Sequence, residues 1–494
     1  MPFRKIKFCT TMFAFIVLAA ALFPALSGCL STRNAQYNFQ IIDFDWERAY
    51  GDLSMICEFG PRLSGGEGEK KATAYFVRQF EDAGLSDVHV EYFETTCYEV
   101  EHASMALVKY DLLGAVELNR TQFAHGSDFI LQGYSGSTNG IQSFEIIYAG
   151  DGTNASYDAT GDVSGKAVII QKNSSVSFSV AYLNAALRGA AANLFHNTAI
   201  HPELGCPPIS FSASGKNQNG ETVPYPDAYP DKLIPSMMIS NATGQAILKA
   251  INETLVPPIP PVPPAPPAPQ INAFNYKLEL DVKVKIEKRQ IPVVIADVKG
   301  RGDKVVMVGA HSDTVYVSPG AVDNTGGACT VIEIARQLAG TRPKHTIRLA
   351  LWSGEEEGLL GSTYYVKAHQ SEIENRLIAY LNLDMNHINF DRGNTGSINS
   401  NDNATLRVLE NLTKAAQERH PSLAKFNISF SWWNCIGGSD QTAFAKLNKT
   451  AACFWGSGAL EYHTIWDTKE HVTPEGLAPG GIIFGSYALW LANT

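Results

Sequence analysis

The chain has 494 residues, 45% of them hydrophobic, and a formal net charge of −10. That length calls for two or more domains, and that apolar share permits a substantial core. With no basic stripe, the moderate acidic balance gives no footing for nucleic-acid binding.

Taken in chain order, Arg4, Lys5 and Lys7 precede an apolar run from Phe8 to Leu26. This is the polarity and length of a signal peptide, and a membrane anchor could use the same run. The segment ends Leu26-Ser27-Gly28-Cys29. That resembles the lipobox of prokaryotic lipoproteins, in which cleavage precedes the cysteine and its thiol is lipidated. The reading is an exported, extracytoplasmic protein held at the membrane or cell surface. Residues 30–45 read as a tether. Cys57, Cys97, Cys206, Cys329, Cys435 and Cys453 match no compact zinc motif, and Cys435 and Cys453 could pair. Nine N-x-S/T tripeptides, among them those at Asn119, Asn173 and Asn448, agree with export.

Residues 46–115 read as the first part of an α/β domain. A helix from about Glu69 to Ala83 presents Ala72, Phe76, Phe80 and Ala83 on one face, with Gly84 placed to stop it. Val88, Val90 and Tyr92 then alternate as in a half-buried strand. Residues 116–256 change character: rich in Gly, Ser and Asn, with short apolar runs such as Ala167-Val168-Ile169-Ile170 and Ile234-Pro235-Ser236-Met237-Met238-Ile239. They read as a separate β-rich domain without a metal or nucleophile cluster, in which His196 and His201 are structural or exposed. Residues 257–272 form a proline-rich linker. Its core, P-P-I-P-P-V-P-P-A-P-P-A-P over 257–269, must be extended because proline lacks the donor that helix or sheet needs. A stiff connector is the plainer reading; recruitment of a partner that binds polyproline is the other.

From 273 to 494 the α/β pattern resumes. Strands are expected at 277–285, 291–297, 304–308, 346–352, 377–383 and 451–455. Helices are expected at 326–338, 403–419, 439–448 and 478–492, with Thr473-Pro474 as cap and first turn of the last. Continuous apolar strands separated by helices predict a mostly parallel, covered sheet. Ligands bind such sheets beyond the carboxyl ends of the strands. His311, Asp323, Glu356, Asp384 and His463 punctuate this block, several of them at or just past strand ends. Imidazole and carboxylate donors suit zinc, with cobalt or manganese as alternatives. If two ions share the set, one carboxylate must bridge them, and room remains for a water or hydroxide that attacks a carbonyl. A neighbouring carboxylate must then take the water's proton and hand it to the leaving amine. Within Glu355-Glu356-Glu357, spacing alone does not say which residue does which.

H-x-D at 311–313, G-A-V-D-N at 320–324, E-E-x-G-L-x-G-S at 355–362, L-D-M at 383–385 and Y-H-T-x-x-D-T at 462–468 occur in one order. In this the chain resembles the M28 family of zinc peptidases. Residues 46–93, with G-P-R-x-S-G at 60–65, resemble the family's N-terminal portion. Residues 115–255 resemble, more weakly, a protease-associated domain through D-V-S-G-K-A-V-I-I and G-A-A-A-N-L-F. The resemblance implies a three-layer α/β zinc-peptidase fold with a central mixed, mostly parallel sheet and an inserted β-rich domain. It implies two zinc ions bridged by Asp323, one also held by His311 and Asp384, the other by Glu356 and His463. It makes Glu355 the general base and acid, Asp313 the residue that orients His311, and Tyr462 a donor to the substrate carbonyl. It also implies a cis peptide at Asp323-Asn324. Many members carry S-D-H where this chain has Ser439-Asp440-Gln441. Trp432 and Trp433 lie where relatives build substrate walls, and could equally be core aromatics. The implied activity is removal of N-terminal residues from peptides. Carboxypeptidase or dipeptidase action on the same fold, and an inactive, metal-stabilised surface binding protein, are the alternatives.

Overall fold

A computed structural model describes residues 37–111, 113–171, 176–198, 205–253, 275–457 and 460–494. The leader and lipobox, the first part of the tether, Asn173, His201 and the proline tract lie outside the described residues. Among the described residues, no helix is long and apolar enough to cross a membrane.

The apolar runs of the second block become the middle of a ten-stranded sheet. Val305–His311 lies between Thr346–Trp352 and Leu377–Asp384, parallel to both, and Leu377–Asp384 is parallel to Thr450–Trp455. Asn275–Val298 and Ser86–Tyr110 extend the sheet antiparallel, so it is mixed, with its parallel strands at the centre. Alternate side chains divide between two cores, as strand geometry requires. Val294, Ala296, Val306 and Val308 pack under the helices Trp46–Cys57, Glu67–Asp82, Gly326–Leu338, Asn403–Arg419 and Ala478–Leu491. Val293, Ile295, Val305 and Met307 pack under Leu360–Ala368, Gln370–Arg376 and Gln441–Ala445.

The structure departs from the sequence reading in instructive places. The two strands expected at 277–285 and 291–297 are one, Asn275–Val298, paired along its length with Ser86–Tyr110. The gap between them, residues 286–290, stays in the ladder. Lys288 pairs with Asp227 and Arg289 with Glu99 at the surface. Residues 39–45 are no free tether: Ile42 and Phe44 are buried, and Ile42 N–H donates to Ser486 Oγ at 3.0 Å. Pro474 heads a short 3-10 turn, Pro474–Leu477, before the last helix begins at Ala478. The six cysteines among the described residues are all free, so Cys435 and Cys453 do not pair.

Residues 116–253 supply a second sheet of five strands, Phe129–Leu131, Ile146–Tyr148, Ala167–Gln171, Ala192–His196 and Ser236–Ile239. Its core includes Met105, Leu107, Leu278, Leu280 and Val282. The far halves of the two long strands thus stay in the ten-stranded sheet and also pack against the inserted unit, as its floor. His196 is buried there, 3.0 Å from Asn241 Oδ1.

Candidate metal centre

Three parallel strands end at one rim. Register pairs His311 with Trp352 and Gly309 with Asn382, which sets His311 level with Asp384; Asp384 in turn pairs with Trp455. Past Trp352 the chain turns through Ser353-Gly354-Glu355-Glu356-Glu357. The Asp313 carboxylate fixes this turn by accepting from Glu355 N–H at 3.2 Å and Glu356 N–H at 3.1 Å.

Asp323 sits on the segment between His311 and the helix Gly326–Leu338, and its peptide to Asn324 is cis. Its two oxygens face different histidines. Asp323 Oδ1 is 3.1 Å from His311 Nε2, and Oδ2 is 3.3 Å from His463 Nε2. His311 Nε2 is also 3.6 Å from Asp384 Oδ1, and His463 Nε2 is 2.9 Å from Glu356 Oε2. Two metal-binding clusters result, His311–Asp323–Asp384 and Asp323–Glu356–His463, sharing Asp323. Gly327 lets the following helix close on the site, because a Cβ there would strike Asn324 Oδ1 and the Leu383 carbonyl.

The far nitrogen of each imidazole decides its tautomer. His311 Nδ1 donates to the Asp313 main-chain oxygen at 3.2 Å, with the Asp313 carboxylate at 3.6 Å. His463 Nδ1 donates to the Ser210 carbonyl at 2.5 Å. A carbonyl only accepts, so both Nδ1 atoms carry hydrogen and both Nε2 atoms turn toward carboxylates. A neutral Nε2 would there set lone pair against lone pair. Only a proton or a cation resolves that contact. Although burial opposes it, the surrounding carboxylates raise His311 well above its ordinary value and His463 to about 10. Burial pushes Glu355 and Glu356 up, while the two histidines outweigh burial at Asp323 and hold it down. Glu356 Oε1 is buried with no hydrogen-bond partner. Nitrogen and oxygen donors, a doubly facing carboxylate and an orphaned oxygen together fit two divalent cations.

Glu355 and Tyr462 line the same centre. Glu355 interacts electrostatically with His311, Asp384 and Glu356. The Tyr462 ring stacks on that of His463, centroids 3.7 Å apart, and burial keeps its hydroxyl protonated. Gln441, the departure from S-D-H, is wholly buried and structural: its amide donates to the Gly437 carbonyl and its oxygen accepts from Asn382. Trp432 is exposed on an edge strand, with its indole N–H on the Asn401 carbonyl.

Three holders of the site escape the sequence reading. The Asp467 carboxylate accepts from Val322 N–H at 2.8 Å and Asp323 N–H at 3.0 Å, fixing the shared ligand's backbone. It lies inside Y-H-T-x-x-D-T, which is the signal that could have found it. Arg62, wholly buried, donates to the Ser312 and Pro319 carbonyls and to Thr325 Oγ1 at 2.7–2.8 Å. Ser210 belongs to the inserted unit, and nothing local marks it.

Residues 293–484 match the model of peptidase family M28, and residues 137–247 match that of the PA domain. "Aminopeptidase YwaD" of Bacillus subtilis is 27% identical over 451 residues, 89% of this chain and 83% of that protein. "Probable glutamate carboxypeptidase VP8" of Zea mays is 26% identical over 479 residues, 88% of this chain and 65% of that protein. The structure of a zinc aminopeptidase from Bacillus subtilis superposes with a TM-score of 0.65 at 22% identity, covering 92% of this chain and 96% of that one. At that identity the likeness speaks to the fold.

Proposed function

From a chain that carries a peptidase family M28 domain together with a PA domain, we infer a two-zinc exopeptidase that removes N-terminal residues from peptides. The observation that carries this is Asp323, whose two oxygens serve two separate clusters of buried donors. The aminopeptidase name of the Bacillus subtilis relative, matched over most of both chains, supports the N-terminal choice.

Divalent cations held there supply Lewis acidity toward a peptide carbonyl and lower the pKa of water. The chain's own residues do the rest. His311 and Asp384 hold one subsite, Glu356 and His463 the other, and Asp323 joins them. Glu355 accepts a proton from the attacking water and delivers it to the leaving amine. Burial and the neighbouring Asp384, Glu356 and Asp440 raise its carboxyl, which suits a group that must both take and give a proton. Asp313 holds Glu355 and Glu356 by their main-chain N–H groups, so the proton carrier and a ligand move as one. The protonated Tyr462 hydroxyl donates to the carbonyl oxygen as charge develops on it.

Carboxypeptidase action is the second reading, favoured by the name of the maize relative. A panel separates the two. Zinc is restored after chelation, and free aminoacyl substrates are compared with N-acylated ones and with peptides ending in an acidic residue. Turnover of the free amines alone supports the aminopeptidase. Turnover of blocked peptides with acidic C-termini would replace it, and no turnover at all would favour a binding protein. We also place the enzyme outside the cytoplasm, anchored by lipid on Cys29. A mature chain whose Cys29 carries no lipid by mass spectrometry would sink that placement.

A further inference from the structure

The stretch 207–213 belongs to the inserted unit, yet it completes the metal centre. Ser210, wholly buried, makes a two-way contact with one ligand: its carbonyl accepts from His463 Nδ1 at 2.5 Å, and its N–H donates to the His463 carbonyl at 2.9 Å. The Phe211 ring lies 4.9 Å from the His463 ring and 6.1 Å from that of Tyr462. Several side chains hold the segment in turn: Asn197 donates to the Pro207 carbonyl at 2.6 Å and Met238 Sδ accepts from Ile209 N–H at 3.4 Å, while one grips both sides of Ser210. Gln132, 3% exposed, accepts from Phe211 N–H at 3.1 Å and donates to the Ile209 carbonyl at 3.1 Å, gripping the backbone on both sides of Ser210. Gly133 N–H adds a bond to the Phe211 carbonyl at 2.8 Å. Gln132 is itself fixed to the inserted sheet, its N–H on the Ser236 carbonyl at 2.9 Å.

We propose that Gln132 and the Ile209–Phe211 backbone of the inserted unit are positioning elements of the Asp323–Glu356–His463 subsite. They keep the His463 proton on Nδ1, so that Nε2 offers its lone pair to a divalent cation. This rests on the two-cation reading of the centre. A ligating imidazole needs a partner for its far nitrogen, and loss of such a partner weakens metal binding roughly 10–100-fold. His311 finds that partner two residues away, on Asp313. His463 finds it 253 residues away, on the inserted stretch. The two subsites therefore differ: one is built within the catalytic sheet, and the other is complete only with residues 209–211 in place. Cation binding and the ordering of that segment are linked, each strengthening the other.

The test uses the full chain, stripped of metal, with zinc alone as the probe and a chelator as competitor. Gln132→Leu removes both grips on the segment. Tyr182→Phe is the control: it removes a buried hydroxyl that donates to the Ile234 carbonyl elsewhere in the same unit. Gln132→Leu should weaken one of two zinc ions about 10–100-fold and leave the other within about threefold, while Tyr182→Phe leaves both unchanged. In the wild-type chain, zinc should also slow hydrogen exchange of the peptide 208–213, a readout that needs no variant to fold. A wild-type chain that binds fewer than two ions overturns the two-cation reading and this proposal with it. Two ions bound with wild-type affinities in Gln132→Leu, equal losses in Gln132→Leu and Tyr182→Phe, or unchanged exchange at 208–213 overturns this proposal alone.

Discussion

Arg62→Met asks whether the site is held together from its rear. The guanidinium is wholly buried and donates to Ser312 O at 2.7 Å, Pro319 O at 2.8 Å and Thr325 Oγ1 at 2.8 Å. Ser312 follows a ligand directly, while Pro319 and Thr325 flank Asp323. One side chain thus ties both ends of the segment that carries His311 and the shared carboxylate. Methionine is similar in length and apolar, so it leaves little cavity. What it removes is the donors. Thr325 Oγ1 keeps a bond to the Gly320 carbonyl at 2.7 Å, so it is not orphaned. The Ser312 and Pro319 carbonyls lose a charged donor, but the part-buried Pro319 carbonyl keeps the Thr325 hydroxyl at 3.2 Å. One buried carbonyl is left unsatisfied, so the expected loss is roughly 1–3 kcal/mol in urea unfolding of the metal-free chain at pH 7.5. Arg62→Lys should fall between, because an ammonium cannot span three acceptors in a fork. Zinc retention should weaken in Arg62→Met as well, since the segment that presents Asp323 loosens. If Arg62→Met unfolds within 1 kcal/mol of wild type and holds zinc equally well, Arg62 is a core filler and the reasoning is wrong.

Glu355→Gln should lower turnover by about 10²–10⁴-fold with full metal content, read by activity beside zinc analysis; a variant that keeps a tenth of wild-type activity would take the proton-transfer role from this residue. Removing the metals should destabilise the chain more at pH 8 than at pH 6. Burial raises Glu355, Glu356 and, to about 7, Asp440, so their contribution to the metal-free fold is present near pH 4 and is lost as pH rises through the folded values. A zinc-induced rise in Tm that is the same at both pH values would contradict this. His387, buried and with its ring nitrogen on Thr473, is pulled down to about 4, first by burial and then by Arg392. The folded chain then binds fewer protons than the unfolded one between about pH 4 and 6.5, and stability falls as pH drops through that window. The loss from this group is about 2 kcal/mol between pH 7.5 and pH 5, and His387→Gln should remove that part of the acid slope in urea titrations.

Three of the five donors were legible from a local signature. His311 and Asp384 close apolar strands, Glu356 follows one, and parallel strands with helical crossovers bring those ends to one rim. Asp323 and His463 lie on loops, and only the spacing of whole motifs singles them out. The sequence reading failed where position is decided by partners far along the chain. Residues 286–290 look like a break between two strands until the ladder of 288–290 with 94–96 is known. Ile42 and Phe44 look like tether until the last helix offers Ser486 and Gly481 to pack against. Among the residues that hold the ligands the same division recurs. Asp313 is two residues from His311 and four motifs spell out its neighbourhood, so it could be named, though its carboxylate turns out to grip the Glu355 and Glu356 amides more closely than the His311 ring. Arg62 acts across 250 or more residues, Gln132 across 77 and 79, and Ser210 through a backbone carbonyl 253 residues from His463. A carbonyl is common to every residue type, so no pattern of side chains could announce Ser210. The chemistry of such a site is written in its ligands, while its geometry is set by atoms that sequence does not distinguish.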